Sequence, residues 1–135
     1  MKKKYLRIIP AIMVMIFIFI HSAMPADVSR VESGWFVDFI RMFLPVDISP
    51  DKLTFLIRKA AHFTEYLLLG LSLEWGMNNR TRTFLIGAGY AILDEIHQTF
   101  VPGRSCEIRD MCIDAAGVLV GMVLMKMIRK LKKNT

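Results

Sequence analysis

Apolar residues gather into four long blocks along the chain, at about 5–24, 60–77, 83–101 and 111–128. Short segments rich in charge, proline or glycine separate them. Each block approaches the ~20 residues with which a helix crosses ~30 Å of hydrocarbon. A soluble bundle would show polar faces at a period of 3.6, and the first, third and fourth blocks show almost none over their apolar halves. The pattern predicts an all-α integral membrane protein, a bundle of four transmembrane helices in a single domain over 1–135, with spans at about 5–24, 55–77, 83–101 and 109–128.

The punctuation supports these elements. Pro25 ends the first span, and an outside loop of some 30 residues follows. Within it, Val31, Trp35, Phe39 and Phe43 recur at near-helical spacing, which predicts a short amphipathic helix over 31–44 on the outer leaflet, with Trp35 at headgroup depth. A loop with a few buried aromatics fits the same residues. Ser49 and Pro50 read as the N-cap and first position of the second helix. "MNNRTR" is the inner turn before the third span and "VPGRS" the outer turn after it. Gly87, Gly89, Gly117 and Gly121 suit close helix packing in lipid.

Charge placement orients the bundle. Lys2, Lys3, Lys4 and Arg7 precede the first block, Arg80 and Arg82 lie between the second and third, and Lys126, Arg129, Lys130, Lys132 and Lys133 end the chain. Glu74 is the lone acid among them. The positive-inside rule puts these three regions in the cytoplasm, which makes both termini internal (N-in/C-in) and the protein a multi-pass component of the cell membrane. The net charge of +6 is therefore a topology signal and a contact with anionic lipid, and no nucleic-acid partner is expected. The first block also has the layout of a signal peptide, but "SAMPAD" carries a proline where cleavage would fall, so a retained anchor is expected. Cys106 and Cys112 lie near the outer face, where a disulfide is permitted; a free pair fits equally.

Ionisable residues inside the spans change the picture most. Counting ~1.5 Å per residue from the inner ends puts Glu65 ~15 Å up, His62 ~20 Å, Asp94 ~16 Å, His97 ~21 Å and Asp114 ~18 Å. Three helices thus bring acids and histidines to one level in the outer half of the membrane. Arg58, His62 and Glu65 share one face of the second helix, Asp94, His97 and Gln98 one face of the third, and Asp110, Asp114, Gly117 and Gly121 one face of the fourth. A charge at the centre of a membrane helix costs ~2.5–3.5 kcal/mol on insertion scales. Three such stripes are tolerable when they face one another or water, which predicts a polar pocket between helices, open outward.

The same residues carry a resemblance. "RKAAHFTEYLLLG" and "DEIHQTFVPGRSCEIRDMCIDAAGVLVG" are similar to the VanZ-like family of small bacterial membrane proteins, whose pattern runs K-x-x-H-F-x-E-Y, then D-E-x-H-Q-x-F-x-P-x-R, then R-D-x-x-x-[DN]-x-x-G. Lys59, His62, Phe63, Glu65 and Tyr66 match the first segment. Asp94, Glu95, His97, Gln98, Phe100, Pro102 and Arg104 match the second, and Asp110, Asp114 and Gly117 the third. Asp114 stands where asparagine is usual. "FIHSAMPADVS" resembles the family's serine-containing segment more loosely. The resemblance implies a role at the cell envelope, since the founding member is associated with low-level resistance to the glycopeptide teicoplanin. It carries no settled mechanism.

Three chemistries fit the expected pocket. One is an ion-pair network that ties helices together: Arg58 with Glu65 or Asp94, Arg104 with Glu107, Arg109 with Asp110. The second is a binding site for an anionic envelope lipid or a lipid-bearing antibiotic. Arg58, Lys59, Arg104 and Arg109 line its rim, and Gln98, Asp110 and Asp114 lie among its further lining; arginine binds phosphate bidentately. Here the 31–44 segment gates entry from the leaflet. The third is an intramembrane enzyme, with His62 or His97 as general base, Glu65, Asp94 or Glu95 orienting it, and Arg104 stabilising negative charge. No nucleophile stands out, Ser105 and Cys106 lying in the outer turn. The local spacings match no metal motif, so neither a metal nor another cofactor is expected. His21 reads as interfacial, Glu74 as solvated, and Phe63 and Phe100 as packing residues.

Overall fold

A computed structural model describes residues 6–43 and 48–134. The predicted contributions of Lys2, Lys3 and Lys4, and the last position of the 31–44 segment, lie outside the described residues. Those residues form five helices and no strand: α1 (Ile9–Ser22), α2 (Ala26–Phe43), α3 (Pro50–Met77), α4 (Arg80–Gln98) and α5 (Ile108–Asn134).

Helix ends follow the local chemistry. Pro50 sits in the first turn of α3, where its missing N–H costs no bond. Ser49 is the N-cap residue, although its hydroxyl makes no capping bond. Asn78 closes α3 in the left-handed conformation with φ 50°, which asparagine tolerates better than most residues. Asn79 then caps α4 by accepting from the Arg82 N–H at 3.1 Å, so the expected "MNNRTR" turn narrows to two residues. Gly103, with φ 74°, turns the connection between α4 and α5.

The first predicted span differs from the helix found. α1 has 14 residues, fewer than a full crossing needs, and bends by 106° into α2. Pro25 occupies the bend, and the Ser22 hydroxyl ties the end of α1 to Asp94 of α4. The amphipathic element is correspondingly longer than expected, starting at Ala26. Ser29, Ser33 and Val37 form its buried side, while Val31, Trp35, Phe39 and Phe43 are exposed. By length and composition, α5 is the one described helix able to cross a membrane by itself, and α1 with α2 makes one bent candidate. α3 and α4 are long enough but carry the charged stripes.

Side-chain contacts give the helix directions. Along α3 and α5, Lys59 pairs with Asp110, His62 faces Asp114, Gly117 packs on Phe63 and Tyr66, and Gly121 on Leu67 and Gly70. Arg129 meets Glu74 and Asn78 further on. Both numbers climb together, so α3 and α5 run parallel. α4 runs against them, with Thr83 bonded to Glu74 and Gly87 on Val118. α1 runs with α4: the Tyr90 hydroxyl donates to the Met15 carbonyl at 2.6 Å, near the middle of both helices. The apolar core between them includes Ile18, Tyr66, Leu69, Leu73, Ala91 and Val118.

Glycine makes the α3–α5 contact possible. A Cβ on Gly117 would meet the Phe63 carbonyl oxygen at 2.6 Å, and one on Gly121 would collide with the Leu67 carbonyl. Gly89, expected to serve the same purpose, has open space around it. Gly121→Val is expected to destabilise by about 1–3 kcal/mol, the usual cost of overpacking, whereas Gly89→Ala stays within about 0.5 kcal/mol of the parent. Thermal unfolding of both variants in detergent measures the difference.

Candidate functional site

Three turns of α3 carry Arg58, Lys59, His62 and Glu65 toward the neighbouring helices. Across from them stand Asp94, Glu95 and Gln98 of α4, all buried, and Asp110 and Asp114 of α5. The end of α1 adds His21 and Ser22. The α4–α5 connection folds back to close this end: the Ala26 N–H donates to the Pro102 carbonyl at 3.2 Å, and Arg104 Nε donates to the Met24 carbonyl at 2.9 Å.

Asp94 and Glu95 each accept two hydrogen bonds. Asp94 Oδ1 accepts from Ser22 Oγ at 2.5 Å and Asp94 Oδ2 from Gln98 Nε2 at 3.2 Å. Gln98 also donates to Glu95 Oε1 at 3.2 Å, while Glu95 Oε2 accepts the Glu107 N–H at 2.9 Å. Lys59 forms an ion pair with Asp110. Glu65 Oε1 lies 2.6 Å from His21 Nδ1, though the ring is not aligned for a hydrogen bond. The His21 and His62 rings are 6.4 Å apart.

Several expected pairings give way to others. Arg58 forms no ion pair among the described residues. Arg104 bonds Gln98 Oε1 at 3.3 Å and Met24 instead of Glu107. Arg109 takes Glu107, at 2.6 Å, instead of Asp110, because Asp110 turns inward to Lys59. His97 shares its helix turn with Asp94 but faces away from it, stacked on Phe19 at 4.6 Å. Glu74, expected in solvent, is buried between Thr83 and Arg129. Phe63 lies at the α3–α5 contact, whereas Phe100, expected to pack, is 81% exposed. Cys106 and Cys112 are both exposed and unbonded.

His21 and Ser22 are the residues that sequence reasoning undervalued. Their signal was present: they are the polar pair at the outer end of the first apolar block, at the level of the other stripes. The Ser22 hydroxyl donates to Asp94, and among the described residues no serine or cysteine hydrogen-bonds a histidine.

Two features remain with chemical capacity. Arg58, Lys59, Gln98, Arg104, Glu107 and Asp110 line a cavity of about 140 Å³ at the end of the bundle that holds the α4–α5 connection. Lys59 is neutralised by Asp110 and Glu107 by Arg109, which leaves Arg58 and Arg104 as a pair of like charges. Arg104 Nη2 is buried without a partner. Burial, and then the charge of Arg58, push the Arg104 guanidinium below its ordinary value, against the opposing pull of Asp94, Glu65 and Glu95. The second feature is a triangle of His62, Asp94 and Asp114, one atom of each lying within 4.8 Å of the others. These are the described residues able to hold a metal ion.

The Ser22–Asp94 bond is open to test by itself. Ser22→Ala removes a donor from a buried carboxylate and is expected to cost about 1–3 kcal/mol, read as a lowered unfolding midpoint in detergent.

No curated protein and no solved structure matches the chain. A family model does, over residues 7–129, from the start of α1 into the basic end of α5. The matched stretch contains every side chain of the polar cluster, and the chain belongs to the VanZ/LLP1 family.

Proposed function

We propose that this VanZ/LLP1 protein is a single-domain, multi-pass membrane protein of the cell envelope whose outer polar pocket binds the phosphate of an anionic lipid or of a lipid-bearing envelope molecule. The family's association with teicoplanin resistance supplies the context: teicoplanin carries an acyl tail, and a leaflet-level site would meet it or its lipid-linked target.

The observation that carries the reading is the Arg58–Arg104 pair. Two guanidiniums share a cavity, carry no carboxylate partner among the described residues, and leave one buried N–H group unused. Guanidinium forks match phosphate oxygens bidentately. Arg109 and Lys59, both about 5 Å from the Phe55 ring centre, add basic charge at the rim.

The surrounding surface supports a bilayer setting. Ile12, Phe17, Leu68, Leu85, Leu93 and Val123 are exposed on the outside of α1, α3, α4 and α5, while His62, Glu65, Asp94, Glu95, Gln98 and Asp114 are buried. That polarity inverts a soluble protein's and suits a helix bundle surrounded by lipid, with the polar cluster toward the outer face. In this arrangement α2 lies on the outer leaflet, its exposed Trp35, Phe36 and Phe39 in the headgroup region, beside the pocket mouth. The Ser29 and Ser33 side of α2 lines a second cavity shared with Arg58 and His62, so α2 borders the path from leaflet to site.

Native mass spectrometry of the protein from lipid nanodiscs tests the reading. The parent is expected to retain an anionic phospholipid in preference to a zwitterionic one. Arg104→Ala and Arg58→Ala should reduce retention about tenfold to a hundredfold, the equivalent of losing ~1.5–3 kcal/mol from a hydrogen bond to a charged group. Equal retention of both lipid types by the folded parent would contradict it.

A further inference from the structure

Asp114 presents a problem that an anion site does not solve. Its side chain is 0% exposed, and neither carboxylate oxygen has a hydrogen-bond partner. His62 Nδ1 is also buried without a partner, 3.9 Å from Asp114 Oδ1. Asp94 completes the triangle. A buried carboxyl without a partner takes up a proton or coordinates a metal, and no lysine or arginine among the described residues bonds Asp114. Lys59, one turn outward, is engaged by Asp110, and Arg104 points its Nε and Nη1 at Met24 and Gln98.

We propose that His62, Asp94 and Asp114 bind one divalent cation, of the Mn²⁺ or Zn²⁺ type, between α3, α4 and α5. One imidazole with two carboxylates is a mixed N/O donor set suited to such ions. Ligand bonds of about 2.0–2.2 Å bring neighbouring donor atoms to roughly 3 Å, so the triangle closes by small side-chain rotations. Asp94 is already oriented in the manner of a metal ligand. Ser22 and Gln98 each donate to one of its oxygens, the outer-partner arrangement that holds coordinating carboxylates in place. Lone pairs remain on both oxygens for the ion. Binding of the cation would displace the proton of the buried Asp114 carboxyl and hold it as a carboxylate ligand. His62 lines, with Arg58, a cavity of about 80 Å³, and Arg58 also lines the proposed phosphate pocket, so one ligand of the ion borders the arginine of that site.

Local spacing hides such a site, since each ligand comes from a different helix and no two are within reach in sequence. The assignment stands apart from lipid binding and is tested without lipid. Protein in detergent is stripped with EDTA and titrated with Mn²⁺, followed by loss of the free-ion electron paramagnetic signal, and separately with Co²⁺, followed by visible absorption. One saturating equivalent per chain is expected, with Zn²⁺ displacing Co²⁺. Asp114→Asn and His62→Ala should weaken binding at least tenfold, and the exposed Asp38→Asn should leave it unchanged. Two outcomes on the parent protein alone would overturn the proposal: no saturable binding, or a thiolate-to-cobalt absorption band, which would move the site to Cys106 and Cys112. Undiminished binding by folded Asp114→Asn and His62→Ala would overturn it equally.

Discussion

The close approach of α3 and α5 governs the interior. Gly117 and Gly121 lie directly against the α3 backbone at Phe63 and Leu67, and the absence of a side chain there lets two parallel helices meet along several turns. Once that contact is made, the register of everything outward of it follows. One turn before Gly117, Asp114 faces His62; one turn before that, Asp110 meets Lys59. Toward the other end, Arg129 reaches Glu74 and the carbonyl end of α3, where a cation also complements the helix dipole. α4 then has one groove to fill, and Gly87 on Val118 seats it there. Asp94 arrives beside His62 and Asp114 as a consequence. The polar cluster is thus the outcome of packing geometry, and its charges do not have to find one another.

That geometry also divides the labour of the charges. Lys59–Asp110 and Arg109–Glu107 neutralise themselves. Asp94 is bonded on both oxygens, and Glu95 anchors the start of the connection to α5 through the Glu107 N–H. What is left lacks partners: Arg58, which forms no ion pair among the described residues, one amino group of Arg104, and both carboxyl oxygens of Asp114. Ion pairing within the described residues does not account for them. Buried polar groups left short of partners are costly, and the proposed phosphate and cation sites would relieve that cost.

Much of this was legible in the sequence. The helices α3, α4 and α5 were readable from long apolar runs with Pro50, Asn78–Asn79 and Pro102–Gly103 between them. The stripes Arg58–His62–Glu65 and Asp110–Asp114 were readable from helical spacing, and counting along the helices put them at one depth. The particular partners were not readable, because one-turn neighbours such as Glu107 and Asp110 compete for the same arginine, and the choice depends on which way each points. His97 shows the limit of a helical-wheel argument: three residues from Asp94, it falls just far enough round α4 to stack on Phe19 of α1 instead. His21 and Ser22 were passed over because an isolated polar pair at a span end usually faces the interface, and only the bend into α2 brings it under the bundle. The length of α2 escaped for a related reason, since its first two turns carry serines and charges that cover the site.

The parallel α3–α5 register is the premise from which the remaining geometry descends, and cysteine cross-linking tests it directly. Arg129 near the end of α5 reaches Asn78 at the end of α3, away from the glycines that the contact needs. In a background of Cys106→Ser and Cys112→Ser, Asn78→Cys with Arg129→Cys, the matched pair, should be joined by a short bismaleimide in native membranes, read by intact mass as one linker holding both thiols. Asn78→Cys with Ile108→Cys, the offset pair at the other end of α5, should not be joined. Cross-linking of the offset pair in preference to the matched pair would contradict the register, and with it the meeting of His62 and Asp114.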